Sequence, residues 1–240
     1  TTDVVTLTGA LCDIPSVSLD EAALADAIEE ALSGLPHLTV TRLGNTLIAR
    51  TELGHADRVV LAGHIDTVPL TKDPSNLPVR RERVGESEVL WGRGTVDMKG
   101  GVAVQLRVAQ EVRQPNRDIT FVFYEGEEIE SEHNGLLHVQ QQRPELIEDA
   151  DFAVLLEPTD GLVEGGCKGT LRADIMTKGI ASHSARPWKG HNAIHDAGEI
   201  LRRLTAYEAR VAVIDGLEYR EALNAVGISG GIAGNVIPDR

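Results

Sequence analysis

Four short segments of this 240-residue chain carry side chains suited to holding a cation. They are Gly63-His64-Ile65-Asp66-Thr67-Val68-Pro69, the stretch 91–101 around Asp97, Glu125-Gly126-Glu127-Glu128, and Leu156-Glu157-Pro158. Three of them directly follow short apolar runs at 59–62, 119–124 and 152–156. If those runs are parallel strands, their carboxyl ends share one rim, and ligands bind at that rim in open α/β sheets. His64, Glu127, Glu128 and Glu157 could then converge. Asp97 sits just before a helical pattern of Val102, Leu106, Ala109 and Val112, where a helix N-terminus favours a carboxylate. Carboxylates crowded into one pocket raise one another's pKa. A divalent cation removes that cost. Histidine with aspartate and glutamate suits zinc, with manganese or cobalt as looser options. Two cations ~3.5–4 Å apart need a bridging carboxylate, which an aspartate supplies. Taken singly, each residue has an ordinary alternative: a packed histidine, a helix-capping aspartate, a solvated Glu-Glu pair. Spacing alone leaves both readings open.

The elements that must position these groups follow from periodicity. Leu24, Ala27, Ile28, Ala31 and Leu32 recur at helical spacing after a candidate cap at Ser18 or Asp20. Residues 38–40 and 46–49 read as short strands around a Gly44-Asn45 turn. The three apolar runs read as buried strands, and 136–142 as a helix. A polar, proline-containing stretch covers 71–88. Apolar strands alternating with helices indicate an α/β domain with a mostly parallel, mixed sheet.

The pattern changes near Gly165-Gly166. Leu171, Ala173 and Ile175 alternate with polar residues, as in a sheet with one wet face. A helix using Ile194, Ala197, Ile200, Leu201 and Leu204 follows, then a strand over 222–232. The expected domains are 1–166 and 167–240. Two strands and one helix make too small a unit to bury a core alone, so the native chain is expected to be longer.

Composition narrows the partners. Net charge is −14, from 37 acidic against 23 basic residues, which disfavours non-specific binding to nucleic acid or anionic membranes. No apolar run approaches the ~20 residues needed to span a bilayer. The start of the chain lacks the basic and apolar regions of a leader, and two cysteines, Cys12 and Cys167, make no disulfide framework. A reducing cytoplasm is the expected compartment.

The local wording goes further than spacing. Gly-His-Ile-Asp-Thr-Val-Pro at 63–69 and Gly-Arg-Gly-Thr-Val-Asp-Met-Lys-Gly-Gly at 92–101 resemble motifs of one dinuclear-zinc family. Its members are aminoacylases, acetylornithine deacetylases, glutamate-releasing carboxypeptidases and succinyl-diaminopimelate desuccinylases. The resemblance implies two Zn2+ per subunit, with Co2+ as a substitute. His64, Asp97, Glu128 and Glu157 would be the ligands, with Asp97 bridging. Asp66 would orient His64, Glu127 would be the general base, and the Asp97–Met98 peptide would be cis. The segment 178–187 resembles the start of a ferredoxin-like α+β lid and dimerisation domain, in which His183 would polarise the substrate carbonyl of a partner subunit. Lys168, Arg186 and Asn235 would bind substrate. The segments 166–170 and 188–196 look most like the actinobacterial desuccinylase type. The implied reaction is hydrolysis of N-succinyl-LL-2,6-diaminopimelate by a cytoplasmic homodimer. Another N-acyl-amino-acid deacylase or a metallocarboxypeptidase is the alternative, and a metal-free binding protein is the alternative of another class. The family's second zinc takes a further histidine from a later segment. His37, His55, His133, His138, His191 and His195 lie in no matching motif. The second site is therefore expected to be incomplete in these residues, and the 240 residues inactive by themselves.

Overall fold

The computed structural model describes residues 3–72 and 75–240. Thr1 and Thr2, and positions 73 and 74 of the polar stretch, lie outside the described residues. The chain divides into two compact units, 1–161 and 162–240.

The first unit runs α1 (Val4–Cys12), α2 (Ala22–Ser33), β1 (Thr39–Leu43), β2 (Thr46–Arg50), β3 (Arg58–His64), β4 (Arg80–Val84), β5 (Ser87–Trp91), α3 (Lys99–Glu111), β6 (Asp118–Tyr124), α4 (Gly135–Gln142) and β7 (Phe152–Leu155). One sheet has the order β1-β2-β6-β3-β7. β3 runs parallel to both β6 and β7, and β2 runs antiparallel to β1 and β6. This is the mixed α/β architecture that the alternating pattern implies.

β2, β3 and β6 are covered on both faces, and alternation decides which side chain goes where. Phe121 and Phe123 of β6, with Leu47 and Ala49 of β2, pack against Leu24, Ile28 and Leu32 of α2 and Val102 of α3. Val122, Tyr124 and Ile48 point the other way, onto Val139 of α4. Burying each such side chain stabilises by about 1.5–3 kcal/mol.

The strand at 152–156 departs from expectation. It was expected to be buried, yet Phe152 is 64% and Leu155 54% exposed. Among the described residues β7 pairs with β3 alone, so its apolar composition does not bury it. The polar stretch conceals the hairpin β4–β5, whose first strand, Arg80 to Val84, is exposed throughout. With no buried face, it has no apolar alternation to read. Neither Ser18 nor Asp20 caps α2. The N-cap is Glu21, without a side-chain bond to the helix.

The second unit contains β8 (Ser182–His183), α5 (Ala193–Thr205), β9 (Val211–Ile214), β10 (Leu217–Arg220) and β11 (Val236–Ile237). β9 and β10 form a hairpin around Asp215-Gly216, both at positive φ (52° and 84°). That dipeptide is a strong hairpin signal between an apolar run and an alternating one. The strands expected at 171–175 and 222–232 do not form. Leu171 is 92% and Val226 87% exposed. Alternation defines a strand face only where a second strand pairs with it, and neither segment has one among the described residues.

Candidate metal centre

Parallel pairing brings the three loops to one rim. β3 and β6 end in register, with His64 opposite Tyr124, and β7 ends beside Ala62. His64 therefore closes β3, Glu127 and Glu128 follow β6, and Glu157 follows β7. Asp97 precedes α3 by two residues, with Met98 at the N-cap. The Asp97–Met98 peptide is cis.

The imidazole of His64 is fully buried, and Nε2 lies 3.0 Å from Asp97 Oδ1 and 3.7 Å from Glu157 Oε1. His64, Asp97 and Glu128 each present a ligand atom, all within 4.8 Å of one another. The other ring nitrogen, Nδ1, lies 3.1 Å from the Asp66 carbonyl oxygen and 3.3 Å from Asp66 Oδ1. One nitrogen is thus tied down from behind while the other faces the carboxylates, the arrangement that second-shell groups impose on ligating histidines. Tyr124 sets its ring edge-on to the imidazole, with centroids 6.1 Å apart.

Asp66 is wholly buried and has more to do than orient one ring. Its Oδ1 accepts from the amide of Glu127 at 3.0 Å. Its Oδ2 accepts from the amide of Glu128 at 3.1 Å and from the hydroxyl of Ser18 at 2.8 Å. Gly126 permits the chain to turn back here. Its φ is +67°, and a Cβ would collide with the His133 carbonyl oxygen.

The electrostatics divide along the same line. Burial opposes the charge on Asp66, but its bonds from His64, Ser18 and the two amides outweigh that and hold its carboxyl below the usual range. Burial likewise opposes the imidazolium of His64. The bond to Asp66, with the charges of Asp66, Glu157 and Asp97, outweighs it and lifts the pKa to about 9. Glu128 is raised by burial and by the charge of Asp97. Glu157 is raised by burial and by Asp97, Glu127 and Glu128, against the pull of His64. Carboxylates pushed upward by one another around a neutralisable imidazole form a donor set that fits a divalent cation, and its composition suits zinc.

Some participants are missing from the sequence reading. Ser18 gives no signal, because 48 residues separate it from Asp66. Lys99 is buried inside the 92–101 motif, and its Nζ donates to the carbonyl oxygens of Leu11 (3.2 Å) and Ile14 (2.8 Å), fastening the start of α3 to the end of α1. A cavity of about 600 Å³ opens beside Asp97 and Glu128, lined also by Val68, Trp91, Arg93 and Val96. The Nε of Arg93 is buried there without a partner. Both Lys99 and Arg93 were visible as motif letters, but a motif does not say what its cations face.

In the second unit, β8 pairs with β11, placing His183 opposite Val236, and the Ser184 amide donates to the Asn235 carbonyl at 2.9 Å. The Arg186 amide donates to the His183 carbonyl. His183, Arg186 and Asn235 are thus neighbours in one small β-turn region, while Lys168 lies in the exposed stretch before it, outside any helix or strand.

A profile of the peptidase family M20/M25/M40 matches residues 60–218. A succinyl-diaminopimelate desuccinylase of Corynebacterium glutamicum is 46% identical over 242 residues, covering 99% of this chain and 63% of the relative. A Mycobacterium tuberculosis protein that carries the same name provisionally is 49% identical over 238 residues, covering 99% of this chain. The chain spans 65% of that relative's length. In fold, it is similar to the M20 metallo-carboxypeptidase Sso-CP2 of Sulfolobus solfataricus, with a TM-score of 0.65 at 13% identity over the whole chain and 69% of that protein. Identity near one half over almost every residue, together with a profile match across the site loops, settles the affiliation: the chain belongs to the peptidase family M20/M25/M40.

Proposed function

We propose that the protein is part of a metal-dependent amidohydrolase that cleaves N-succinyl-LL-2,6-diaminopimelate to succinate and LL-2,6-diaminopimelate. The observation that carries the reading is the approach of His64 Nε2 to Asp97 (3.0 Å) and Glu157 (3.7 Å), with Glu128 grouped with His64 and Asp97 within 4.8 Å. The two actinobacterial relatives, named for this reaction, support the choice of substrate.

His64, Asp97, Glu128 and Glu157 would hold the metal, with Asp97 as the bridging ligand the family motif implies. Bound there, the metal would supply Lewis-acid polarisation of the acyl carbonyl and a more acidic water. Glu127 takes the proton from the attacking water and returns it to the departing nitrogen. No acyl-enzyme forms, so neither buried Cys12 nor exposed Cys167 is needed as a nucleophile. His183 is assigned the donor to the developing oxyanion. Lys168, Arg186 and Asn235 are assigned to the substrate's carboxylates and amide. The second unit is read as a lid and dimerisation element of a cytoplasmic homodimer. Among the described residues no helix is long and apolar enough to cross a membrane.

The test is a comparison of rates on N-succinyl-diaminopimelate, N-acetylornithine and a C-terminal dipeptide, in the full-length, zinc-loaded enzyme. Preference for either of the latter two moves the assignment to the deacetylase or carboxypeptidase reading. Glu127→Gln should lower kcat by ~10²–10⁴-fold at unchanged zinc content. Full activity in that variant would remove Glu127 from the base role.

A further inference from the structure

We infer that Ser18 is a positioning residue, holding the Asp66 carboxylate in the one rotation that sets the backbone of Glu127 and Glu128 as well as the ring of His64. The inference rests on the metal-centre reading above and assigns a role to a residue outside all of its motifs.

Asp66 is 0% exposed, so no water competes for its oxygens. A carboxylate has two oxygens with about four acceptor positions in all. Oδ1 serves His64 Nδ1 at 3.3 Å and the Glu127 amide at 3.0 Å. Oδ2 serves the Glu128 amide at 3.1 Å and Ser18 Oγ at 2.8 Å. Three of these donors belong to the residues assigned as base and ligands. Ser18 is the fourth, and it alone comes from outside the site. It therefore fixes the carboxylate against something other than the groups being positioned.

Ser18 is itself well held. Val17 bridges Thr67 in parallel, the Ser18 amide donates to the Thr67 carbonyl at 3.1 Å, and the Thr67 amide donates to the Ser16 carbonyl at 2.9 Å. The next residue, Leu19, sits at φ +75° although it is not glycine, and its amide bonds Glu21 Oε1 at 2.9 Å. Ser16 offers a built-in control. Its hydroxyl donates at 2.6 Å to the Ile65 carbonyl, in the same loop, and touches no carboxylate.

Loss of the Ser18 hydroxyl leaves one acceptor position of a buried anion unfilled, so the carboxylate turns toward its remaining donors. That rotation displaces the Glu127 and Glu128 peptides together with the imidazole. Outer-shell partners of metal sites contribute ~10–100-fold in affinity, and one step further out the expected loss is at the lower bound.

The experiment uses the full-length enzyme: it titrates Co2+ into wild type, Ser18→Ala, Ser16→Ala and Ser18→Thr, and records the melting temperature of each protein before metal is added. Ser18→Ala should bind Co2+ about tenfold more weakly, with kcat reduced and KM within twofold. Ser16→Ala should keep wild-type affinity whatever its melting temperature, and Ser18→Thr should recover affinity to within threefold. Unchanged Co2+ affinity in Ser18→Ala overturns the inference. Equal losses in Ser16→Ala and Ser18→Ala overturn it too, because the loop as a whole would then be responsible. If Ser18→Ala does not fold, Ser18→Cys, of similar size but a weaker donor, is judged by the same criteria. Failure of wild type to bind Co2+ would instead remove the metal centre itself, which separates the two claims.

Discussion

The two ends of the paired strands β3 and β6 are both acidic, and they treat their acids in opposite ways. At the amino end, Asp118 is buried and accepts from Thr51 Oγ1 (2.7 Å) and from the amides of Leu53, Gly54 and His55 (2.8–3.0 Å). Arg58, itself buried, lies close, and it shares Asp149 with Arg50. At the carboxyl end, Asp97 and Glu157 both approach a single imidazole, and Glu128 lies close to that imidazole and to Asp97. Burial alone would raise Asp118, yet its donors pull it down to about 2, while Glu128 and Glu157 are driven up. An acid whose lone pairs are filled by the protein's own N–H and O–H groups is structural. Acids that find mainly one another are prepared for a cation from outside. Asp66 belongs to the first kind and stands among the second. That explains how one rigid carboxylate can place several that are not rigidly held.

The sharpest way to break this contrast is His64→Ala. It should weaken Zn2+ or Co2+ binding by more than the ~100-fold upper range for outer-shell partners, as read by titration. Affinity within threefold of wild type would mean that the carboxyl-end acids do not depend on the imidazole. A smaller effect, of another kind, is expected at the opposite rim. Asp118→Asn should lower stability in urea by ~1.5–3 kcal/mol, the range for hydrogen bonds to a charged group, and leave cation affinity unchanged. A parallel loss of affinity would show that the two rims are not separable. The smallest effect is the pH dependence of that difference. The pKa of Asp118 is depressed on folding, from 3.8 to about 2, so its stabilisation is complete above about pH 4 and fades as pH falls toward 2. The gap between wild type and Asp118→Asn should therefore be full at pH 6 and narrow below pH 4. A gap that widens on acidification would reverse the assigned sign.

Much of the carboxyl rim is legible in the amino-acid order. A strand of apolar residues followed at once by His64, and another followed by Glu125-Gly126-Glu127-Glu128, announce both the element and what its end presents. The amino rim is less legible. Asp118 reads as one more charge at a strand start, because its donors come from a loop more than sixty positions earlier. The Arg80–Val84 strand is hidden by its own charge, whereas the Asp215-Gly216 hairpin is signalled by its turn residues.

Local order along the chain determined the helices with a buried stripe, the strands with a continuous apolar run, and the side-chain types at their ends. These depend on interactions within a few residues, or on a hydrophobic pattern that any partner face can satisfy. Tertiary structure alone decided that β7 pairs with β3 alone among the described residues, that 171–175 and 222–232 form no strand, and that Ser18 turns from the helix it precedes to a carboxylate 48 residues away. Each of those outcomes depends on which distant backbone group arrives alongside, and no local pattern encodes that partner.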